Sequence, residues 1–149
     1  MDNFFKMEIK AVLENVSTVR VAISSFISNL DITIDELMDV KTAVSEAVTN
    51  SIEHGYDGIL DNNSSVIING YILSDEEYDI KVEVIDMGIG IDDIELAMTP
   101  TYTSKPELEH AGMGFTIMET FMDEIIIDST KENGTTITML KKLKKKKSS

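Results

Sequence analysis

Helical and strand periodicities are unevenly distributed along this 149-residue chain, and that distribution limits the architectures open to it. Apart from an alternating opening segment, Phe5 to Ala11, which reads as a strand, the first third is helical. Asn15 or Ser17 is placed to cap a first helix to about Ser28, with Val19, Ala22, Ile23, Phe26 and Ile27 at helical spacing. Thr33-Ile34-Asp35-Glu36 is a capping-box pattern, in which the hydroxyl and the carboxylate each take up the other residue's free amide. It opens a long second helix to about His54, where Gly55 supplies a stop. Most of the remainder is β-rich. Val66 to Leu73 and Ile80 to Ile85, joined through Ser74-Asp75-Glu76-Glu77, predict a hairpin, and Glu124 to Asp128 and Thr135 to Leu140 flank Glu132-Asn133-Gly134. Asn69-Gly70 is a rival turn signal, rejected because it would leave strands too short to pair. A third helix follows Gly114, with Phe115, Met118, Phe121 and Met122. Helices early and strands late predict a two-layer α+β sandwich, with helices on one face of a mixed, mostly antiparallel sheet.

The length fits one domain, read as residues 1–140, followed by a lysine-rich, disordered tail at 141–149. Formal charge is −14, but six of the thirteen basic residues lie between Lys141 and Lys147. The first 140 residues set seven basic side chains against twenty-seven acidic ones, a body that repels nucleic-acid backbones and favours basic protein partners. Without cysteine there are no disulfides, thiolate metal sites or cysteine nucleophile, and two histidines leave little for a multi-histidine metal site. No apolar run reaches the length of a membrane span, and Met1-Asp2-Asn3-Phe4-Phe5-Lys6 lacks the core of a secretion signal, so the expectation is a cytoplasmic protein bound to no membrane.

Three places look chemical. On the second helix Leu37, Val44 and Val48 form an apolar stripe, while Glu46, Asn50 and His54 recur at i, i+4, i+8 beside the small Ala43 and Ala47. A solvated helix face gives the same pattern; the two alanines would let another group approach closely. Asp86-Met87-Gly88-Ile89-Gly90 follows a strand directly, so its glycines allow a sharp turn against a ligand and its carboxylate can accept a hydrogen bond from an amine. A plain tight turn would serve as well. Gly112-Met113-Gly114 precedes a helix, whose free amides suit a phosphate, or mark only a hinge. The polar stretch between the glycine pairs is long enough to suggest a lid over a nucleotide, with Lys105 as its basic residue. Gly134-Thr135-Thr136 enters the last strand as an ordinary turn glycine would.

In order along the chain, Glu46-x-x-x-Asn50, Asp86-x-Gly88-x-Gly90, Gly112-x-Gly114 and Gly134-Thr135 resemble the boxes of the GHKL nucleotide-binding superfamily. Val44 to Ile52 with His54-Gly55-Tyr56 resembles the bacterial anti-sigma-factor serine kinases, and Thr103 to Glu109 with Gly112 to Glu119 resembles their sporulation, sigma F, branch. The likeness runs from about Met7 to Leu140. It implies the Bergerat-type fold, ATP with Mg2+, a homodimer, a sporulation sigma factor held inactive, and an anti-anti-sigma protein phosphorylated on serine. By position it implies Glu46 as general base, Asn50 as magnesium ligand, and Asp86 as reader of the adenine amine. Gly88 and Gly90 would shape that pocket with help from Thr135. Gly112 and Gly114 would lie at the phosphates beneath a lid holding Thr103 and Lys105, and Arg20, the chain's only arginine, would contact partners. The roles are chemically consistent: a carboxylate can take the serine proton, one amide oxygen is enough for magnesium that keeps water and phosphate ligands, and phosphoryl transfer needs alignment and charge neutralisation. Rival readings are an ATP-gated anti-sigma binding module without phosphoryl transfer, the general stress-response branch of the same kinases, and a histidine-kinase catalytic domain.

Overall fold

The computed structural model describes residues 2–55, 64–88, 114–129 and 134–144. Strands β1 (Asn3–Lys10), β2 (Ser65–Ile72), β3 (Ile80–Asp86), β4 (Glu124–Ser129) and β5 (Thr135–Lys141) form one sheet in the order β1-β2-β3-β5-β4. Helices α1 (Val16–Ile27), α2 (Ile34–Asn50) and α3 (Gly114–Phe121) supply the second layer. Among the described residues all four strand pairs are antiparallel, and no parallel pair of the expected mixed, mostly antiparallel sheet is seen there. The hairpin expected from the sequence is present as β2–β3, the last two expected strands pair as β4–β5, and β5 enters between β3 and β4 rather than at an edge.

Alternation decides which strand face is covered. Val66 and Ile68 on β2, Val82 and Val84 on β3, and Ile137 and Met139 on β5 are all fully buried in one apolar core. The helices meet them with Val19, Ile23 and Ile27 of α1 and Val40, Val44 and Val48 of α2, every one of them at 0% exposure. The helical spacing selects these positions, except that Ala22, Phe26 and Leu37 are only half-buried and Val40 is a buried member it did not single out.

Asn69-Gly70 lies inside β2, as argued, and the glycine has a packing reason. Phe5 of β1 is its register partner, and a Cβ at Gly70 would collide with the Phe5 ring edge. That ring stacks on Phe26 of α1, centroids 4.6 Å apart and planes 60° apart, and so ties the edge strand to the helical layer.

The first helix starts differently from the expectation. Asn15 stands at its N-cap but caps nothing with its side chain; its amide donates to the Lys10 carbonyl at 3.0 Å, and a 3-10 turn, Leu13–Asn15, leads into the helix. The capping box of α2 is formed. Glu36 N donates to Thr33 Oγ1 at 3.1 Å, and Thr33 N donates to Glu36 Oε1 at 3.1 Å. At its other end α2 changes from α to a π turn, Ser51–Gly55, instead of running as one helix to His54.

The ordered body passes the expected boundary at residue 140. β5 includes Lys141, Leu143 is buried, and three successive amides are held by carboxylates from two connecting segments and from α2. Lys142 N donates to Asp123 (2.6 Å), Leu143 N to Asp79 (2.7 Å) and Lys144 N to Glu36 (2.7 Å). Lys141 itself caps α3, donating to the Phe121 carbonyl at 2.7 Å, with Asp39 of α2 at 3.7 Å. Asp92 to Ala97, for which the sequence allows a short helix at best, lies outside the described residues.

Candidate functional site

Residues from β3, β4, β5, α2 and α3 form the site. Antiparallel register places Asp86 opposite Thr135, and Thr135 opposite Ser129, a polar row across three strands on the helix-covered side. The next row inward, Val84, Ile137 and Ile127, is apolar. The polar row therefore sits on the core as its rim, with Asp86 at 3% and Thr135 at 6% exposure.

Asp86 is positioned by its own turn. Gly88 N donates to its Oδ1 at 2.9 Å, the two-residue reach that makes Asp-x-Gly a stable local motif. Burial is the largest influence on this carboxyl and raises its pKa; the Gly88 amide, the Ser51 hydroxyl and the Thr135 amide pull it down without cancelling that rise. Ser51, the first residue of the π turn, is 1% exposed, and its hydroxyl faces Asp86 without completing a hydrogen bond. A buried carboxyl whose burial outweighs its hydrogen bonds is a candidate binding group.

Gly134 brings the row together. Its φ is +77°, and a Cβ there would collide with the Asp86 carbonyl oxygen and lie 2.9 Å from Met87 Cα. Only a residue without a side chain lets β5 start this close to the end of β3. The sequence pattern alone suggested no more than a turn.

A second cluster forms where α2 and α3 meet. A Cβ at Gly114, the first residue of α3, would stand 3.7 Å from Asn50 Nδ2 and 3.9 Å from Glu46 Oε2. Two residues four apart on α2 and the N-terminus of α3 thus converge on one point. Glu46 and Asn50 are half-buried, so the solvated-face alternative does not describe them, and Ala43 and Ala47 beside them are wholly buried. The grouping offers a carboxylate, an amide and the positive end of a helix, the set required to hold an anionic group and take a proton beside it.

Of the residues singled out from the sequence, Glu46, Asn50, Asp86, Gly88, Gly114 and Thr135 fall in these two clusters. Arg20 lies elsewhere, exposed on α1. Gly90, Thr103, Lys105 and Gly112 lie outside the described residues. Ser51 and Ser129 were missed. Ser51 stood inside a quoted motif without a role of its own, and Ser129 carries no local signal, since only the order β3-β5-β4 brings it beside Thr135. Among the described residues no three His, Cys, Asp or Glu side chains gather as a metal site, and no helix is long and apolar enough to cross a membrane. For magnesium the fitting donors are the oxygens of the Asn50 amide and the Glu46 carboxylate, two side chains that both approach Gly114, a sparse oxygen set of the kind this ion accepts when phosphates complete its shell.

An antiparallel sheet with three helices on one face and a site at the meeting of α2, α3 and β3 defines a histidine kinase-like ATPase domain, and the sequence profile of that description matches residues 9–141. The chain is 54% identical over 146 residues to the anti-sigma F factor of Clostridium novyi, covering 95% of this chain and 96% of that one. It is also 54% identical to the anti-sigma F factor of Clostridium perfringens, covering 96% and 99%. The chain belongs to the anti-sigma F factor family. Two solved structures share the fold. The RsbU and RsbW domains of a Mycobacterium tuberculosis protein superpose with a TM-score of 0.67 at 20% identity, over 95% of this chain and 32% of that one. The histidine kinase domain of an Erythrobacter litoralis blue-light activated kinase gives 0.53 at 16%, over 91% and 62%.

Proposed function

We propose that this protein is an ATP-dependent serine kinase that holds a sporulation sigma factor of the sigma F type inactive and phosphorylates that factor's protein antagonist. The observation that carries the reading is the convergence of Glu46, Asn50 and Gly114 at one end of a site whose other end is the Asp86–Thr135 row. One end suits phosphates and a reacting hydroxyl; the other suits a hydrogen-bonding base.

In this mechanism the N-terminus of α3 and the Asn50 amide orient the triphosphate, with Gly112, Thr103 and Lys105 contributing from the segment between the glycine pairs. Bound Mg2+, held through Asn50, would neutralise developing phosphate charge. Asp86 accepts a hydrogen bond from the base amine, in a pocket shaped by Gly88 and Gly90, and Thr135 lies beside it. Glu46 accepts the proton of the antagonist's serine as that hydroxyl attacks the γ-phosphorus and ADP leaves. Arg20, on a helix that contributes nothing to this site, is the contact for sigma factor and antagonist, whose competition there couples inhibition to phosphorylation. The working unit is a cytoplasmic homodimer of one kinase domain per chain, each packed as far as Lys144, with the rest of the lysine-rich tail outside its chemistry.

Intact-mass spectrometry of a candidate antagonist, incubated with this protein and Mg-ATP, tests the reading. The expected result is one phosphate on serine, reduced by about 100-fold or more in rate by Glu46→Gln while ATP still binds. Unchanged turnover in that variant removes Glu46 from the mechanism. ATP and sigma binding without any transfer would favour the gated binding module.

A further inference from the structure

We propose that Ser129 sets the hydrogen-bonding sense of the Thr135 hydroxyl, so that the base-binding end presents two acceptors and selects a 6-aminopurine nucleotide over a 6-oxopurine one. This rests on the ATP-binding reading above and assigns its base specificity.

The argument is a proton count. Ser129 Oγ lies 2.9 Å from the Gly134 carbonyl oxygen and 2.8 Å from Thr135 Oγ1. A carbonyl only accepts, so the single Ser129 proton goes to Gly134. The contact between the two hydroxyls then requires the Thr135 proton, donated to Ser129 Oγ. The Thr135 hydroxyl has lone pairs left for any further partner and no proton. Its neighbour in the row, Asp86, is an acceptor when ionised, and the Gly88 amide takes only part of its capacity.

A 6-amino group carries two N–H donors, and two acceptors on adjacent strands match both. A 6-oxo group places lone pairs against lone pairs. Because Asp86 and Thr135 are buried, a mismatched pair there has little water to relieve it. The device is held rigidly: Gly134, whose carbonyl fixes Ser129, is itself fixed by its close approach to Asp86. Ser129 is thus a positioning residue, acting on the nucleotide through Thr135.

The test is calorimetric titration with Mg-ATP and Mg-ITP. The wild type binds ATP more tightly. Ser129→Ala frees the Thr135 proton to turn toward the ligand, and the ratio of the ITP to the ATP dissociation constant narrows by about five-fold, the worth of one neutral hydrogen bond. Ser129→Thr restores the ratio. In a Thr135→Val background, Ser129→Ala produces no further narrowing. Equal changes for both nucleotides, or none, overturn the proposal, because a merely structural role would not distinguish them. Should Ser129→Ala fail to fold, Thr135→Val decides alone: the ratio narrows through weaker ATP binding, and an unmoved ratio overturns the idea. A wild type that binds no ATP overturns the nucleotide reading itself; ATP binding with an unmoved ratio removes only the Ser129 role.

Discussion

Each end of helix α2 lies beside a buried carboxylate, and the two are treated in opposite ways. At the N-terminal end Glu36, 7% exposed, is fully engaged: Oε1 accepts from the Thr33 amide and hydroxyl, and Oε2 from the Lys144 amide. Burial would raise its pKa, but those bonds and the Lys141 charge hold it below the ordinary glutamate value. At the C-terminal end Asp86, 3% exposed, is met by the Gly88 and Thr135 amides with Ser51 turned toward it, and burial outweighs them and raises its pKa. Similar burial with opposite pKa directions separates a carboxylate that holds the fold together from one that, on the proposed reading, would be kept for a ligand.

The comparison can be broken at several points. The largest effect on stability belongs to Gly134→Ala, which puts a Cβ into the Asp86 carbonyl at a left-handed φ; a loss of about 3 kcal/mol in urea unfolding is expected, with nucleotide binding lost too. Next is Glu36→Ala, which undoes the capping box and leaves the Lys144 amide unpaired, for about 2 kcal/mol. Nucleotide affinity should stay at the wild-type level, and a loss of affinity would mean that the two ends are coupled through α2. The pH dependence is smaller and opposite in sign at the two ends. Glu36, with a lowered pKa in the folded state, contributes stability above the ordinary carboxylate range, lost as pH falls through its folded value. Asp86, with a raised one, contributes stability at low pH that is lost as pH rises through its folded value. Urea midpoints of wild type and Glu36→Gln should accordingly differ at pH 7 and converge as pH falls below the folded value of Glu36. The smallest effect is that of Ser51→Ala, which removes an unpartnered buried hydroxyl and should leave the free protein up to about 1 kcal/mol more stable by the same assay. A clear destabilisation would show that the hydroxyl is bonded in the free protein.

The structural end was the more legible in the sequence. Thr33-Ile34-Asp35-Glu36 is a local pattern, and local chemistry fixes it; the alternation of Val66 to Leu73 and Ile80 to Ile85 likewise fixes which strand face is covered. What the sequence did not disclose was long-range. That Glu36 also holds Lys144 depends on a contact 108 residues away, which is why the boundary was expected at 140. Asp86-x-Gly88 and Glu46-x-x-x-Asn50 were readable as motifs because each is contained within one turn or one helix face. Ser129 was not, since its partner is set by strand order, and Gly134 looked like any turn glycine until Asp86 was seen against it.

The most direct test of the account is thermal unfolding of Asp86→Asn with and without Mg-ATP, beside wild type. If Asp86 is kept under-satisfied for a nucleotide, the free variant melts at or above the wild-type temperature and the ATP-induced rise disappears. A free variant that melts several degrees lower yet keeps its ATP-induced rise would contradict the account and place Asp86 with Glu36, among the groups that serve the fold alone.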